Sequence, residues 1–511
     1  MATEILETER KYEAQPGAPM PPLDRLPQVA EVSEPEVETL VAEYYDANDL
    51  RLLKAGATLR RREGGADAGW HLKLPGETKN EPGTARREFR VPAGQPGDPV
   101  PDELLQLVRV HTRGAALRPV ARVETRRLKH TLRDTAGTSL AEVVSDEVAA
   151  QSFGDSTTLS HWNEIEVELT GGGPGLLRAA DKQLRDSGLR PAGYSAKLAR
   201  ALAADLPRYR AGRQLTARST AGDVVLDYLG TQLARLKSLD PAVRRSEPDS
   251  IHQMRVTTRR LRSTLQSFPS ILPKQATWHL RDELKWLGGV LGEARDDEML
   301  SDYLLARLAD TPVELVLGPV QARIRAHYAP READAQRAVL TALDSQRYFG
   351  VLDELDELRE NPPVTAAGAG RAEDVLPRAV SRAHRRARRR MRHAKRAQAG
   401  PELDVALHET RKAAKRARYA AEAAQPVSGK KARRYVKRMK AVQSVLGDHQ
   451  DSVNARAAVR EIGVQAHLAG ENAFSLGLLY GRARCEAHTL EDQARRKWRR
   501  AAHGKAVRWL P

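Results

Sequence analysis

Two carboxylates and an ammonium alternate along Glu7-Thr8-Glu9-Arg10-Lys11. A strand turns successive side chains to opposite faces, so Glu7, Glu9 and Lys11 point the same way, spaced roughly 6 to 7 Å apart. Three such charges are costly against an apolar core, but they suit a wet cavity that holds a hard cation and an anion together. Similar alternations recur downstream. Arg60 and Arg62 share a face, as do His71 and Lys73, and then Arg86, Glu88 and Arg90. The stretch from Ala121 to Leu132 carries Arg122, Arg126, Arg127 and Lys129, and Asp146 follows with Glu142 at matching parity. Glu164, Glu166 and Glu168 alternate with Ile165, Val167 and Leu169. Arg87 and Arg126 have the opposite parity to Glu88 and Arg127, so a bulge would be needed to exchange them.

Any one of these segments alone reads as an ordinary half-exposed strand with cross-strand ion pairs. Seven together predict a sheet that closes with its charges inward and its aliphatic residues packed outside against helices. Between them, Ala14 to about Leu26 reads as a Pro- and Gly-rich loop, and the acidic stretch around Glu34 to Glu43 as a helix.

The chain of 511 residues is long enough for two or three domains, and 41% hydrophobic residues can bury real cores. Net charge is +17, which points to a polyanionic partner. That charge is divided unevenly: residues 1–205 hold 27 Lys+Arg against 32 Asp+Glu, leaving a strongly basic remainder. The single cysteine, Cys485, excludes an intramolecular disulfide framework and a thiolate zinc site. No apolar run approaches the ~18 residues of a membrane helix. The expectation is a soluble, cytoplasmic protein with no membrane partner.

Beyond residue 206 the pattern is helical, and it repeats. His252-x-x-Arg255-x-x-x-Arg259-Arg260-x-Arg262 recurs as His408-x-x-Arg411-x-x-x-Lys415-Arg416-x-Arg418. Some 40 residues after each comes a Leu-Gly-x-x-x-Asp motif, Leu291 to Asp296 and Leu446 to Asp451, read as a turn. Two copies of a bundle of four helices account for this. Offsets of 0, 3, 7 and 10 share one helical face, bordering an apolar stripe of Ile251, Met254, Leu261, Leu265 and Phe268. Two such rows could line one cationic groove, with His252 and His408 donating to phosphate. Residues 382–396 hold nine Lys+Arg, a density that reads as surrounding its helix.

Glu-x-Glu-x-Lys at the start, Tyr44-Tyr45-Asp46 before Arg60-x-Arg62, a Lys in the next strand, Arg-x-Glu after it, the late Glu164-x-Glu166-x-Glu168 and Ser195-x-Lys197 together resemble the CYTH domain, the fold of triphosphate tunnel metalloenzymes. The resemblance runs from about residue 4 to residue 202. It implies an antiparallel tunnel of eight strands that binds a triphosphate and, with Mg²⁺ or Mn²⁺, hydrolyses it. Carried onto this chain, Arg60, Arg62, Lys73, Arg86, Arg127 and Lys197 bind phosphate. Glu7, Glu9, Asp146, Glu164, Glu166 and Glu168 supply metal ligands, and Glu7, Glu9 and Lys11 act in catalysis. The second half looks like a CHAD domain over residues 215–505. That resemblance implies inorganic polyphosphate binding by His252, Arg255, Arg259, Arg262, His408, Arg411, Lys412, Lys415 and Arg418.

The expected architecture is α+β and multidomain: an antiparallel β tunnel with flanking helices at 1–205, a linker at 206–217 and an all-α domain of two repeated bundles at 218–505. The expected activity is an inorganic triphosphatase-like phosphohydrolase tethered to a polyphosphate-binding module, possible company for polyphosphate granules. The alternatives are a non-catalytic polyphosphate-binding protein and nonspecific nucleic-acid binding by the basic half. No Walker loop or base-reading motif is present.

Overall fold

The computed structural model describes residues 2–76, 85–95, 97–154, 157–203, 215–216 and 218–511. The chain divides into two compact units, Met1–Ala211 and Gly212–Pro511. Most of the expected 206–217 linker lies outside the described residues.

The first unit is built on β1 (Thr3–Ala14), the short β2 (Glu31–Val32), β3 (Glu36–Asp46), β4 (Thr58–Glu63), β5 (Gly69–Pro75), β6 (Ala85–Pro92), β7 (Arg118–Arg133), β8 (Ser139–Phe153), β9 (Thr157–Leu169) and the short β10 (Arg190–Pro191). Eight of them pair antiparallel in the order β1-β6-β5-β4-β3-β7-β8-β9, and β9 returns to β1. The ring is closed, so its eight long strands present no free edge. Four helices accompany it: α1 (Arg51–Lys54), α2 (Asp102–Thr112), α3 (Pro174–Asp186) and α4 (Lys197–Ala201).

Two clusters of the core lie outside the ring. Ile165 and Val167 pack with Tyr12, Val143 and the Leu176, Leu177, Ala180 and Leu184 face of α3. Elsewhere Leu59, Trp70, Leu72 and Phe89 bury against Leu104, Leu107 and Val108 of α2. Apolar residues of these strands face the outer helices and their charged alternates face the lumen, while Ala42, Val123, Val148, Ala150 and Trp162, of lumen parity, pack on Leu198, Ala199 and Leu202 of α4. The loop after Ala14 sends Leu23 and Leu26 into the α3 core.

The acidic stretch at Glu34 to Glu43 is not a helix. It belongs to β3, where Leu40, Ala42 and Tyr44 are buried at alternate positions and Glu38 pairs in register with Arg127 of β7. Period-2 burial and the β-formers Val37, Thr39, Val41, Tyr44 and Tyr45 outweigh the glutamates' helical preference. At the end of β3 the Asp46 carboxylate accepts from the backbone N–H of Ala47, Leu52 and Leu53, which fixes the turn into α1.

The second unit contains α5 (Ala221–Arg244), α6 (Ser250–Ser267), α7 (Lys274–Ala309), α8 (Val320–Leu343), α9 (Gln346–Glu360), α10 (Ala366–Ala369), α11 (Ala372–Ala394), α12 (Pro401–Ala423), α13 (Gln425–Leu468) and α14 (Phe474–Ala502). Helices α5 to α8 pack consecutively, as do α11 to α14, giving two repeats of four. Their starts are joined symmetrically. Ala221 N–H donates to Gly370 O at 2.8 Å, and Ala372 N–H to Ser219 O at 3.0 Å. This pairing sets the two repeats about a pseudo-twofold, and α6 packs against α12. Among the described residues no helix is long and apolar enough to cross a membrane.

Two further expectations change here. The Leu-Gly-x-x-x-Asp motifs are not turns but lie mid-helix, in α7 and α13. A Cβ on Gly292 would meet the Arg255 guanidinium at 3.6 Å, and one on Gly447 would meet Arg411 Nη2 at 2.8 Å. Gly447 thus makes room for an arginine from the neighbouring helix, whereas at Gly292 the contact would be an ordinary one. The basic run in α11 does not surround its helix either. Ala383, Ala387, Met391 and Ala394 form a buried stripe, and the arginines take the outer face.

Candidate functional sites

The charged alternation faces the lumen of the ring. Glu7, Glu9, Arg62, Arg86, Asp146, Glu164, Glu166 and Lys197 are buried, and Lys11, Arg60, Lys73, Arg127 and Glu168 are partly buried. All thirteen residues expected in the tunnel are thus brought together. Arg87 and Arg126 point outward, with no exchange of register: Arg87 Nε donates to Glu4 at 2.6 Å, and Arg126 Nη1 lies 3.4 Å from Glu147.

Strand order separates the charges. Around a ring of eight, β4 with Arg60 and Arg62 lies opposite β9 with its three glutamates. β1 lies next to β9, placing Glu9 opposite Glu168 and Lys11 opposite Glu166 in register. One wall is therefore rich in carboxylates and the opposite wall in guanidinium groups.

Within the acidic wall two groups differ. Asp146, Glu164 and Glu166 converge on Lys197 Nζ at 2.8, 2.7 and 2.8 Å. Arg127 adds a two-pronged pair to Asp146, both contacts at 2.8 Å. Burial works against charge on Glu166, but Lys11, Lys197 and Arg127 outweigh it and hold the carboxyl well below its usual range. Lys197 was expected as a phosphate ligand; here it is the internal counter-ion of three acids. Glu7, Glu9 and Glu168 form the second group. Lys73 Nζ reaches Glu7 at 2.6 Å and Lys11 Nζ reaches Glu9 at 3.2 Å. Burial, reinforced by repulsion from Glu7 and Glu9, pushes Glu168 up to about 7. Burial likewise raises Glu7, against Lys73.

The basic wall shows the converse. Burial, with Arg60, Arg127 and Arg90 nearby, pulls Arg62 down to about 9. The buried Nε–H groups of Arg60 and Arg62 have no hydrogen-bond acceptor. Arg60 Nη1 donates to the Tyr44 hydroxyl at 3.3 Å, and Arg86 Nη2 to Ser195 O at 2.7 Å. Lys11 stays charged: burial opposes its ammonium, yet Glu166 and Glu9 raise it above the ordinary lysine value.

Glu88 belongs to this lumen as well, although sequence reasoning did not place it in the site. It is fully buried, paired with His71 Nδ1 at 2.9 Å and Lys73 at 3.8 Å, and its parity with Arg86 was the available signal. Burial holds His71 down to about 4, so the ring is neutral.

In the helical unit the two basic rows meet. Lys415 is pulled down to about 6 by burial together with Arg259, Arg411, Arg255 and Arg418, which draws both repeats into one cluster. Acids offset part of it: Arg255 Nη1 pairs with Asp296 at 2.7 Å and Arg418 Nε with Glu422 at 3.2 Å. Arg259 Nε donates to the Tyr419 hydroxyl at 3.3 Å. His252 and His408 flank the cluster, and burial lowers both, leaving them neutral. His408 Nδ1 meets Gln450 Oε1 at 2.5 Å, and His252 Nδ1 is buried without a partner.

Two residues stand away from this group. Lys412 is exposed and pairs with Glu409 at 2.9 Å. Arg262 falls in a neighbouring group with Arg281, Arg386 and Arg416; burial and those three arginines bring Arg416 down to about 10. Arg281, Arg386 and Arg416 were not anticipated. Arg416 occupies a repeat position matching Arg260, which was the signal available for it.

The CYTH domain family matches residues 6–198 and the CHAD domain family residues 227–460. An uncharacterized protein found in two strains of Mycobacterium tuberculosis is 38% identical over 494 residues, covering 93% of this chain and 92% of its own length. The thiamine-triphosphatase of Homo sapiens is 41% identical over 76 residues, 15% of this chain and 30% of that protein. Among solved structures, PptA from Streptomyces chartreusis has 24% identity and a TM-score of 0.46, covering 55% of this chain and 100% of its own. The CHAD domain of Ricinus communis has 24% identity and a TM-score of 0.43, covering 57% and 96%. With a CYTH domain followed by a CHAD domain, the chain belongs to one family with the mycobacterial proteins.

Proposed function

We propose that the tunnel hydrolyses inorganic triphosphate or a related triphosphate with Mg²⁺ or Mn²⁺, and that the helical unit binds inorganic polyphosphate. The observation that carries this is the double imbalance in one lumen. Burial and repulsion from Glu7 and Glu9 push Glu168 up, which a cation would relieve, and burial with Arg60, Arg127 and Arg90 pulls Arg62 down despite its pair with Asp67, which a further anion would relieve. A triphosphate carrying a divalent ion supplies both.

Glu7, Glu9 and Glu168 offer the hard oxygen donors that Mg²⁺ and Mn²⁺ prefer, and their mutual repulsion is relieved by a dication. Asp146, Glu164 and Glu166 already share the Lys197 ammonium, so their part is to fix Lys197, Lys11 and Arg127 in place. A bound divalent ion supplies Lewis-acid polarisation and a more acidic water. Arg60, Arg62, Arg86, Arg127 and Lys73 bind phosphate oxygens, the guanidinium forks in bidentate fashion. Lys11 stabilises charge developing on the phosphoryl group. The similarity of a 76-residue stretch to thiamine-triphosphatase supports a triphosphate as the substrate class. In the helical unit, Arg255, Arg259, Arg411, Lys415 and Arg418 would neutralise successive phosphates, with His252 and His408 at the flanks.

The test is phosphate release from tripolyphosphate, ATP, thiamine triphosphate and long-chain polyphosphate with Mg²⁺, Mn²⁺ or EDTA. Metal-dependent turnover of a triphosphate that disappears in Glu7→Ala and Glu9→Ala supports the reading. A second reading, a polyphosphate-binding protein with no catalysis, is favoured by Lys197, whose three ion pairs occupy the tightest group of lumen acids. Absence of turnover with every metal would establish that reading instead.

A further inference from the structure

One helical turn before His408, three helices of the second unit bring one imidazole and two carboxylates together. Asp404 lies in the first turn of α12, His449 in the middle of α13 and Glu491 in α14. One ligand atom from each lies within 4.8 Å of the others. His449 is 1% exposed, and its Nε2 makes no hydrogen bond. The nearest carboxylate oxygens are Asp404 Oδ1 at 3.4 Å and Glu491 Oε1 at 3.9 Å.

Neither neutral form of that ring is at ease here. An Nε2–H would be a buried donor with no bond made, a cost of about 1–3 kcal/mol. A bare Nε2 would aim its lone pair at two anionic oxygens. Burial opposes the charged imidazolium. A cation held between the three atoms resolves the conflict, since it accepts the nitrogen lone pair and both carboxylates at once.

We propose that Asp404, His449 and Glu491 form a site for a divalent transition metal, zinc by its donor chemistry, distinct from the tunnel. Arg456 Nη2 binds Asp404 Oδ2 at 2.7 Å, which orients the carboxylate and leaves Oδ1 facing His449. A fourth donor stands one helical turn before Glu491. His488 Nδ1 is 3.8 Å from Glu491 Oε2 and its side chain is 84% exposed, free to swing onto the ion. Two imidazoles and two carboxylates make a four-coordinate set of the kind zinc takes. Imidazole nitrogen discriminates against Mg²⁺, which prefers oxygen, so the two sites in one chain would select different ions. The ion would tie α12, α13 and α14 together at the edge of the second repeat.

The experiment uses the full chain, stripped with EDTA and titrated with Zn²⁺ and with Co²⁺ as a spectroscopic probe, in excess Mg²⁺. A Glu7→Gln/Glu9→Gln background removes tunnel carboxylates from the count. The expected result is one equivalent of Zn²⁺ that displaces Co²⁺, with the visible cobalt band of a four-coordinate nitrogen-containing site. His449→Gln should weaken binding at least ~100-fold, since it removes a direct ligand. Should His449→Gln fold poorly, Glu491→Gln, near-isosteric and on the outer helix, is the second variant and should weaken binding as well. X-ray absorption of the zinc-loaded parent should show imidazole scattering. Absence of zinc uptake in excess Mg²⁺, an all-oxygen spectrum, or unchanged binding in a folded variant would overturn the site.

Discussion

The two halves of the molecule gather charge in opposite ways. In the tunnel, acids and bases interleave, and most charges have a partner within 4 Å: Lys73 with Glu7, Lys11 with Glu9, Arg127 with Asp146. What is left for a ligand is the mutual repulsion around Glu168 and the crowding of the Arg60 and Arg62 guanidinium groups. On the helical rows cations face cations, and Lys415 loses proton affinity through burial and the repulsion of Arg259, Arg411, Arg255 and Arg418. A lumen that is nearly self-neutral can select a ligand by shape and by the joint presence of metal and anion. A row of like charges has an unmet demand that any polyanion could fill, and it should be far more sensitive to salt.

Four measurements break or sharpen that contrast. The largest effect is expected for Glu7→Ala and Glu9→Ala, which should lower triphosphate turnover ~10³-fold or more, the scale of losing an electrostatic element of a phosphoryl site. Polyphosphate binding by the same variants should be unchanged; a parallel loss would mean the two halves do not act separately. Next, the double variant Arg255→Ala/Arg411→Ala should weaken polyphosphate affinity by ~100-fold at low salt and flatten its salt dependence, read in a filter-binding assay, while turnover stays as it was. Displacement of polyphosphate by duplex DNA at equal charge would instead assign the rows to nonspecific polyanion binding.

A third effect follows from Lys415. Its ammonium is the form that meets phosphate, and at about 6 its proton is mostly absent at neutral pH. Polyphosphate affinity should therefore rise as pH falls from 8 to 6, by at most ~10-fold per unit for one proton, and Lys415→Gln should flatten the profile. The smallest effect concerns Glu168. Its folded value of about 7 lies above the ordinary 4.5, so the native state holds a proton that the unfolded chain has lost, and stability falls as pH rises through that interval. In EDTA, Glu168→Gln should raise Tm above pH 7 and leave it unchanged below about pH 4.5. With excess Mg²⁺ the sign should reverse, because the variant forfeits a ligand.

The charged alternation of the lumen was legible because period-2 spacing leaves no freedom in which face a side chain takes. What misled was residue type read without period. Glu34 to Glu43 suggested a helix through its glutamates, yet Leu40, Ala42 and Tyr44 already marked every second position as buried. Small residues hid two other features. The inward stripe of α11 is mostly alanine, so the helix read as basic all round, and glycines 292 and 447 read as turns when both lie mid-helix, Gly447 as the clearance for Arg411. The seat of Lys197 among three acids was beyond spacing arguments, since it depends on where α4 docks against a ring whose last strand, β9, ends almost thirty residues earlier. Likewise the merging of the two basic rows requires the pseudo-twofold, which a repeat suggests but does not orient.

Gly447 sets a limit on how far this protein could be hardened. It sits inside a long helix, where alanine would ordinarily gain about 1 kcal/mol, so it looks like an easy target for thermostabilisation. At Gly447 the added methyl would collide with the Arg411 guanidinium and push it off its seat. The helix would become sturdier while the surface it serves lost its alignment, so heat tolerance and ligand capture are here competing demands on a single hydrogen atom.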